Sequence, residues 1–184
     1  MTPEILAADE IGGEKDIKAM AYVRNCGCRL LMTVHGNSMQ DIFARPVLGE
    51  YLKKYPFDYV IGSCHKIDNI DLSMYNYRTI NIDRLCSTYF SNLLGIVENH
   101  LCDCLGHLDL FKRYAAKQGI CINISCENDY LQKVLEAAIS HGIGIEINTS
   151  GVRYGIGCMP SLDVLKLYSQ LHGEIITLGS DAHS

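Results

Sequence analysis

From residue 58 onward the chain alternates short apolar runs with amphipathic ones, and this alternation limits the folds open to it. Residues 57–62, 102–106, 143–147 and 174–178 are brief, apolar or β-rich segments bordered by glycine. Residues 83–99 place Leu85, Tyr89, Phe90, Leu93, Leu94 and Val97 at helical spacing. A helix capped by Asn128 would turn Leu131, Val134, Leu135, Ala138 and Ile139 inward and stop at Gly142. Pro160-Ser161 opens another, with Leu162, Leu165, Tyr168 and Leu171 inward and Gly173 at its end. Such strand–helix repetition predicts an α/β fold with a parallel sheet or barrel. The apolar, glycine-flanked strands fit burial on both faces.

A chain of 184 residues, 48% of them apolar, can bury about 70% of its extended surface, enough for one domain or one domain and a fragment. Its apolar runs, such as Ile5–Ala8 and residues 59–61, fall far short of the roughly 20 residues of a membrane span. The opening Met-Thr-Pro-Glu-Ile does not read as a signal peptide. A net charge of −5 offers nucleic acid no electrostatic footprint. Nine cysteines without an export signal are expected as reduced thiols in the cytoplasm. Cys26 and Cys28, like Cys102 and Cys104, would share one face of a strand and pack as small apolar groups.

The chemistry gathers where the strands end. His65 follows Tyr59-Val-Ile-Gly-Ser-Cys, His107 follows Cys102-Asp-Cys-Leu-Gly and precedes Asp109, and Asp181 and His183 follow Ile175-Ile-Thr-Leu-Gly-Ser. The carboxyl ends of parallel strands converge on one rim, so residues far apart in sequence meet there. Three imidazoles and a carboxylate form a ligand set suited to Zn, Mn or Fe rather than Ca. Asp-x-His would set both side chains on one side of an extended segment. Arg153 offers a planar fork of donors matched to phosphate, and Glu146 either lines a barrel interior or holds a structural contact. His100, His141 and His172 end helices, where structural or solvated roles are expected.

Tyr55-Pro-Phe-Asp-Tyr-Val-Ile-Gly-Ser-Cys-His65, Leu105-Gly-His-Leu-Asp109, Gly144-Ile-Glu-Ile-Asn-Thr-Ser-Gly-Val-Arg153 and Leu178-Gly-Ser-Asp-Ala-His183 together resemble the polymerase and histidinol phosphatase (PHP) family, its histidinol-phosphatase branch most closely. The resemblance covers residues 54–184. It implies a distorted (β/α)7 TIM-like barrel, incomplete in this chain, with two or three divalent metal ions at the strand ends. His65, His107, Asp181 and His183 would be ligands, Arg153 a phosphate contact, and Asp181 or His183 an aid to the leaving alkoxide. The implied reaction is metal-assisted hydrolysis of a small phosphate ester, L-histidinol phosphate, in histidine biosynthesis. The family's first strand carries His-x-His and an early strand a further glutamate ligand. This sequence has no His-x-His and no evident counterpart of that glutamate, so weak or absent phosphatase activity is expected.

Residues 1–52 have another texture. Ile5-Leu-Ala-Ala-Asp-Glu-Ile-Gly-Gly13, Leu31-Met-Thr-Val-His-Gly36 and Arg45-Pro-Val-Leu48 resemble the distal part of a P-loop ATPase of the stage III sporulation protein AA type. The resemblance makes Asp9 and Glu10 a Walker B pair and Thr33, His35 and Gly36 a sensor-like strand end. No G-x-x-x-x-G-K-[ST] accompanies them, so ATPase function is not expected. Strands at Ile5–Ala8 and residues 29–34, and helices over 15–26 and 38–54, complete the expectation for this short α/β segment. The two resemblances meet near residues 49–56, as in a fusion of two partial domains. The alternatives to a phosphatase are a remnant of the ATPase and a non-catalytic metal-binding module.

Overall fold

The computed structural model describes residues 4–8, 11, 13–32, 50, 58–124 and 129–181. The chain divides into two compact units, Met1–Asp58 and Tyr59–Ser184.

In the first unit, strand β1 (Ile5–Ala8) leads through helix α1 (Glu14–Asn25) to strand β2 (Arg29–Met32). The two strands are parallel, with Ile5 opposite Arg29 and Ala8 opposite Met32. Asp16 starts the helix by accepting the Gly13 N–H at 2.9 Å. Ile17 and Met20 on its inner face join Ile11, Leu6, Leu30 and Met32 in a small core. Cys26 caps the helix and Gly27, at φ 84°, turns the chain, so these cysteines flank a turn, contrary to the expectation of a shared strand face. Asp9, Glu10, Thr33, His35, Gly36 and nearly all of the expected 38–54 helix lie outside the described residues.

The second unit follows the expected alternation. Strand β3 (Ile61–Gly62) is followed by a small antiparallel hairpin, β4 (Lys66–Ile67) and β5 (Ile70–Asp71). Then come α2 (Ile82–Glu98), β6 (Cys104–Leu105), α3 (Phe111–Lys117), α4 (Asp129–Ser140), β7 (Gly144–Asn148), α5 (Leu162–Gln170) and β8 (Ile176–Gly179). Strands β3, β6, β7 and β8 form one parallel sheet in that order. Ladder pairing at β3 is shorter than expected because a side chain takes part of it. Val60 N–H donates to the Asp103 carboxylate at 2.7 Å instead of to a neighbouring carbonyl.

The register sorts the sheet into two faces. Leu105, Ile145 and Ile176 form one cross-strand row, and Ile147 pairs with Leu178 on the same face. The other face carries Cys104 opposite Gly144, Glu146 opposite Thr177, and Asn148 opposite Gly179. Leu105 and Ile145 are fully buried in the hydrophobic core with Leu85, Tyr89, Phe90, Leu93 and Val97 of α2 and Leu131, Val134, Leu135 and Ala138 of α4. Tyr89, Phe90 and Phe111 meet edge to face at its centre, with centroids 5.0–6.1 Å apart. Asn81 caps α2 by accepting the Arg84 N–H at 3.0 Å. Gly142, at φ 68°, closes α4 and lets the Ile143 N–H reach back to Ala138 O.

Every cysteine among the described residues is a free thiol. Burial pushes the thiols of Cys64, Cys86 and Cys102 up to about 11, which keeps them protonated and inert at neutral pH.

Asp109 has a structural task. Its carboxylate, 1% exposed, accepts from Lys112 Nζ at 3.2 Å and from the N–H of Ser161, the residue capping α5, at 3.3 Å. Burial pushes its carboxyl above the usual range, and the Lys112 ammonium offsets only part of that rise. Asp109→Ala leaves the buried ammonium without a counter-charge, so urea unfolding should show a loss of about 3–5 kcal/mol. The double variant Asp109→Ala/Lys112→Met should recover part of that loss.

Candidate metal and phosphate site

All four strands of the parallel sheet point their carboxyl ends to one rim, and the sequence-selected residues in the described segments stand there. His65 follows β3, His107 follows β6, the 3-10 turn Thr149–Tyr154 follows β7, and Asp181 follows β8. The rim separates them into two groups.

The first group is a pair of imidazoles. His65 Nε2 and His107 Nε2 lie 3.3 Å apart, with ring centroids at 5.0 Å. Two nitrogens bound to one tetrahedral ion through bonds of about 2.0–2.1 Å would lie about 3.3 Å apart. The observed separation equals that bite, and it equally fits an N–H···N hydrogen bond between the rings. His107 occupies an unusual backbone position, with φ 28°. Left-handed or bridging conformations at non-glycine residues cost about 1–3 kcal/mol and concentrate at functional sites.

Glu146 holds that backbone in place. Its Oε2 accepts the His107 N–H at 2.9 Å and the Asn148 amide at 2.9 Å. The carboxylate is 7% exposed, and it lies where only glycine leaves room. A Cβ at Gly179 would collide with Glu146 Oε1, and one at Gly106 would come within 2.7 Å of Ser63 Oγ. Of the two roles that the sequence left open for Glu146, this contact is the structural one.

The second group binds through guanidinium ions. Arg113 of α3 forms an ion pair with the Asp181 carboxylate, approaches Ser150 Oγ at 3.4 Å and reaches the Tyr114 hydroxyl at 3.4 Å. Burial alone would lower the Arg113 pKa, but its bonds to Tyr114 and Asp181 outweigh this and raise it. Arg153 donates to Ser180 O at 3.2 Å and Asp181 O at 2.8 Å. Asn148 links the groups, since its Oδ1 accepts the Ser150 N–H at 2.9 Å while its amide holds Glu146.

The structure thus brings His65 to His107 and Arg153 to Asp181. It pairs Asp181 with Arg113 and sets Asp181 at φ 46°. The extended Asp-x-His geometry expected from sequence is therefore not adopted at Asp181, and His183 lies outside the described residues. Among the described residues, no group of three or more His, Cys, Asp and Glu side chains could hold a metal ion. Sequence reasoning missed Arg113, whose contact with Asp181 joins residues 68 apart and leaves no local signal.

Comparison with known proteins agrees with both halves of the sequence reading. A probable histidinol-phosphatase of Clostridium acetobutylicum is 35% identical over 132 residues, covering 71% of this chain and 52% of that protein. The chain spans about half the length of such relatives. The crystal structure of histidinol phosphate phosphatase from Lactococcus lactis, complexed with Zn, L-histidinol and phosphate, superposes with a TM-score of 0.58 at 23% identity, covering 92% of this chain and 65% of that one. That likeness supports a mixed α/β fold built on a parallel sheet. The family model for sporulation stage III, protein AA, matches residues 1–82, past the expected limit at residue 52. Stage III sporulation protein AA of Bacillus subtilis is 33% identical over 58 residues, 32% of this chain and 19% of that protein. This chain is accordingly similar to two protein families, the histidinol-phosphatases and, through residues 1–82, the stage III sporulation protein AA family.

Proposed function

We propose that the rim of the second unit is a divalent-metal phosphomonoesterase site for L-histidinol phosphate. The observation that carries the reading is the 3.3 Å separation of the His65 and His107 Nε2 atoms, the bite of a borderline cation such as Zn, Mn or Fe. By resemblance to the PHP family, Asp181 and His183 would complete the ligand set, and either could assist the leaving alkoxide. A metal bound there would supply an acidified water and a counter-charge for the phosphate oxygens.

The protein's own groups do the rest. Arg113 already holds a carboxylate, that of Asp181, so its position suits an anion. Arg153 lies beside it, at the Asp181 carbonyl, and the two guanidinium groups offer fork-shaped recognition of phosphate. Asn148 and Glu146 fix the loops that carry them. Similarity to histidinol-phosphatases, one of them crystallised with Zn, L-histidinol and phosphate, supports the choice of substrate. We also read the sheet as an arc of a PHP-type barrel. Its strands run in sequential order β3-β6-β7-β8 without reversal, as in a barrel and unlike a doubly wound sheet.

Two experiments on the full chain test this. After chelation and reconstitution with Zn²⁺ or Mn²⁺, phosphate release from L-histidinol phosphate should depend on metal. His107→Gln should weaken metal binding by at least about tenfold and abolish release. Release that survives chelation, or metal affinity unchanged in His107→Gln, would refute the assignment. In the second, Gly179→Ala should displace Glu146, free the His107 backbone and weaken metal binding. Gly95→Ala, in open space within α2, should leave metal binding alone and stabilise the fold by about 0.5–1 kcal/mol.

A further inference from the structure

At the opposite edge of the sheet a second pair of histidines meets. His100 follows the end of α2 just before β6, and His141 follows the end of α4 just before β7. Because β6 and β7 are parallel, both residues lie at the amino ends of the strands, away from the rim that carries His65 and His107. Helices α2 and α4 pack against each other, and this brings the two rings to a centroid separation of 4.2 Å at 71°. Both residues are exposed.

Three features suit this place to a cation. Two helix carboxyl ends meet there, each contributing a partial negative charge. Asn99 Nδ2 satisfies Gly95 O at 2.7 Å and the Leu101 N–H satisfies Ile96 O at 3.1 Å, so the last turn of α2 keeps its form up to the histidine. His100 itself is held at φ 51°, a conformation that costs a non-glycine residue roughly 1–2 kcal/mol and that directs it away from the helical path. Two imidazoles on one tetrahedral ion have centroids about 5 Å apart, given metal–nitrogen bonds of about 2.0–2.1 Å. The observed 4.2 Å is shorter than this; both side chains are exposed, and the broad ring torsion of histidine would let them open to it.

We propose that His100 and His141 form a surface two-imidazole site for a borderline divalent cation, Zn²⁺, Ni²⁺ or Cu²⁺, that clips the carboxyl ends of α2 and α4 together. Water completes the coordination, and the donor type excludes Mg²⁺ and Ca²⁺. The site is independent of the rim.

Tag-free full-length chain is titrated with NiCl₂ by calorimetry, as wild type and as His65→Gln/His107→Gln. The rim variant should retain one equivalent of Ni²⁺. Adding His100→Asn or His141→Gln to it should weaken that binding at least tenfold, with unchanged circular dichroism. Asparagine is chosen at 100 because it tolerates the left-handed backbone. Should the rim variant not fold, wild type is compared with His100→Asn/His141→Gln, which should bind one equivalent fewer. Ni²⁺ affinity and stoichiometry unaffected by the His100 and His141 substitutions, or a folded rim variant that binds no Ni²⁺, overturns the proposal. Loss of metal on changing His65 and His107, with binding at the other pair retained, tests the rim reading separately.

Discussion

The rim depends on one buried carboxylate. Glu146 sits at the polar face of β7 and accepts hydrogen bonds from the His107 N–H and the Asn148 amide. A carboxylate this enclosed would be costly without such partners. The arrangement also dictates the residues around it, because side chains at positions 106 and 179 would press on Ser63 and Glu146. Glycine at the ends of β6 and β8 is thus a steric requirement of the site. With its N–H fixed, His107 can hold φ 28°, and its ring meets that of His65.

A hydrogen-bonded path then joins the two halves of the rim. It runs from the His107 N–H through Glu146, Asn148 and Ser150 to Arg113 and Asp181. One end presents two imidazoles at chelating distance, and the other presents two guanidinium groups. Donors for a cation beside donors for an anion are what a metal-bound phosphate ester requires. Each element contributes one piece: β3 places His65, β6 His107, α3 Arg113, the turn after β7 Arg153, and β8 Asp181.

Sequence periodicity located what packing decides. The helix read at 83–99 is α2 at Ile82–Glu98, and the one opened by Ser161 is α5, because their apolar stripes match the core they bury. Strand ends were legible for the same reason, since an apolar run followed by glycine and a polar residue marks a rim. Contacts made between elements were not legible. Helix α3 has only seven residues, too few for a periodic signal, so Arg113 was passed over. The ion pair between Arg113 and Asp181 joins residues 68 apart in sequence, and no local pattern records it. His100 and His141 each read as an ordinary helix terminus, and only the packing of α2 on α4 makes them neighbours.

The division of the sheet into two faces carries the argument about architecture further than the helices do. Leu105, Ile145 and Ile176 share an apolar row, and α2 and α4 contribute to the core that buries the first two. Outward at β8 the same face is open, with Leu178 82% exposed. The opposite face is small or polar: Cys104, Gly144, Glu146, Asn148, Thr177 and Gly179. Cys104 Sγ and Thr177 Oγ1 even approach to 3.3 Å across two strands. Such a face could not serve as the apolar floor beneath a second helical layer, which a doubly wound sheet needs on both sides. Its glycine at position 179 leaves the space that the Glu146 carboxylate occupies beside the His107 N–H. The chemistry of the two faces, more than the number of strands, therefore divides the sheet into an apolar side that packs on helices and a polar side that carries Glu146.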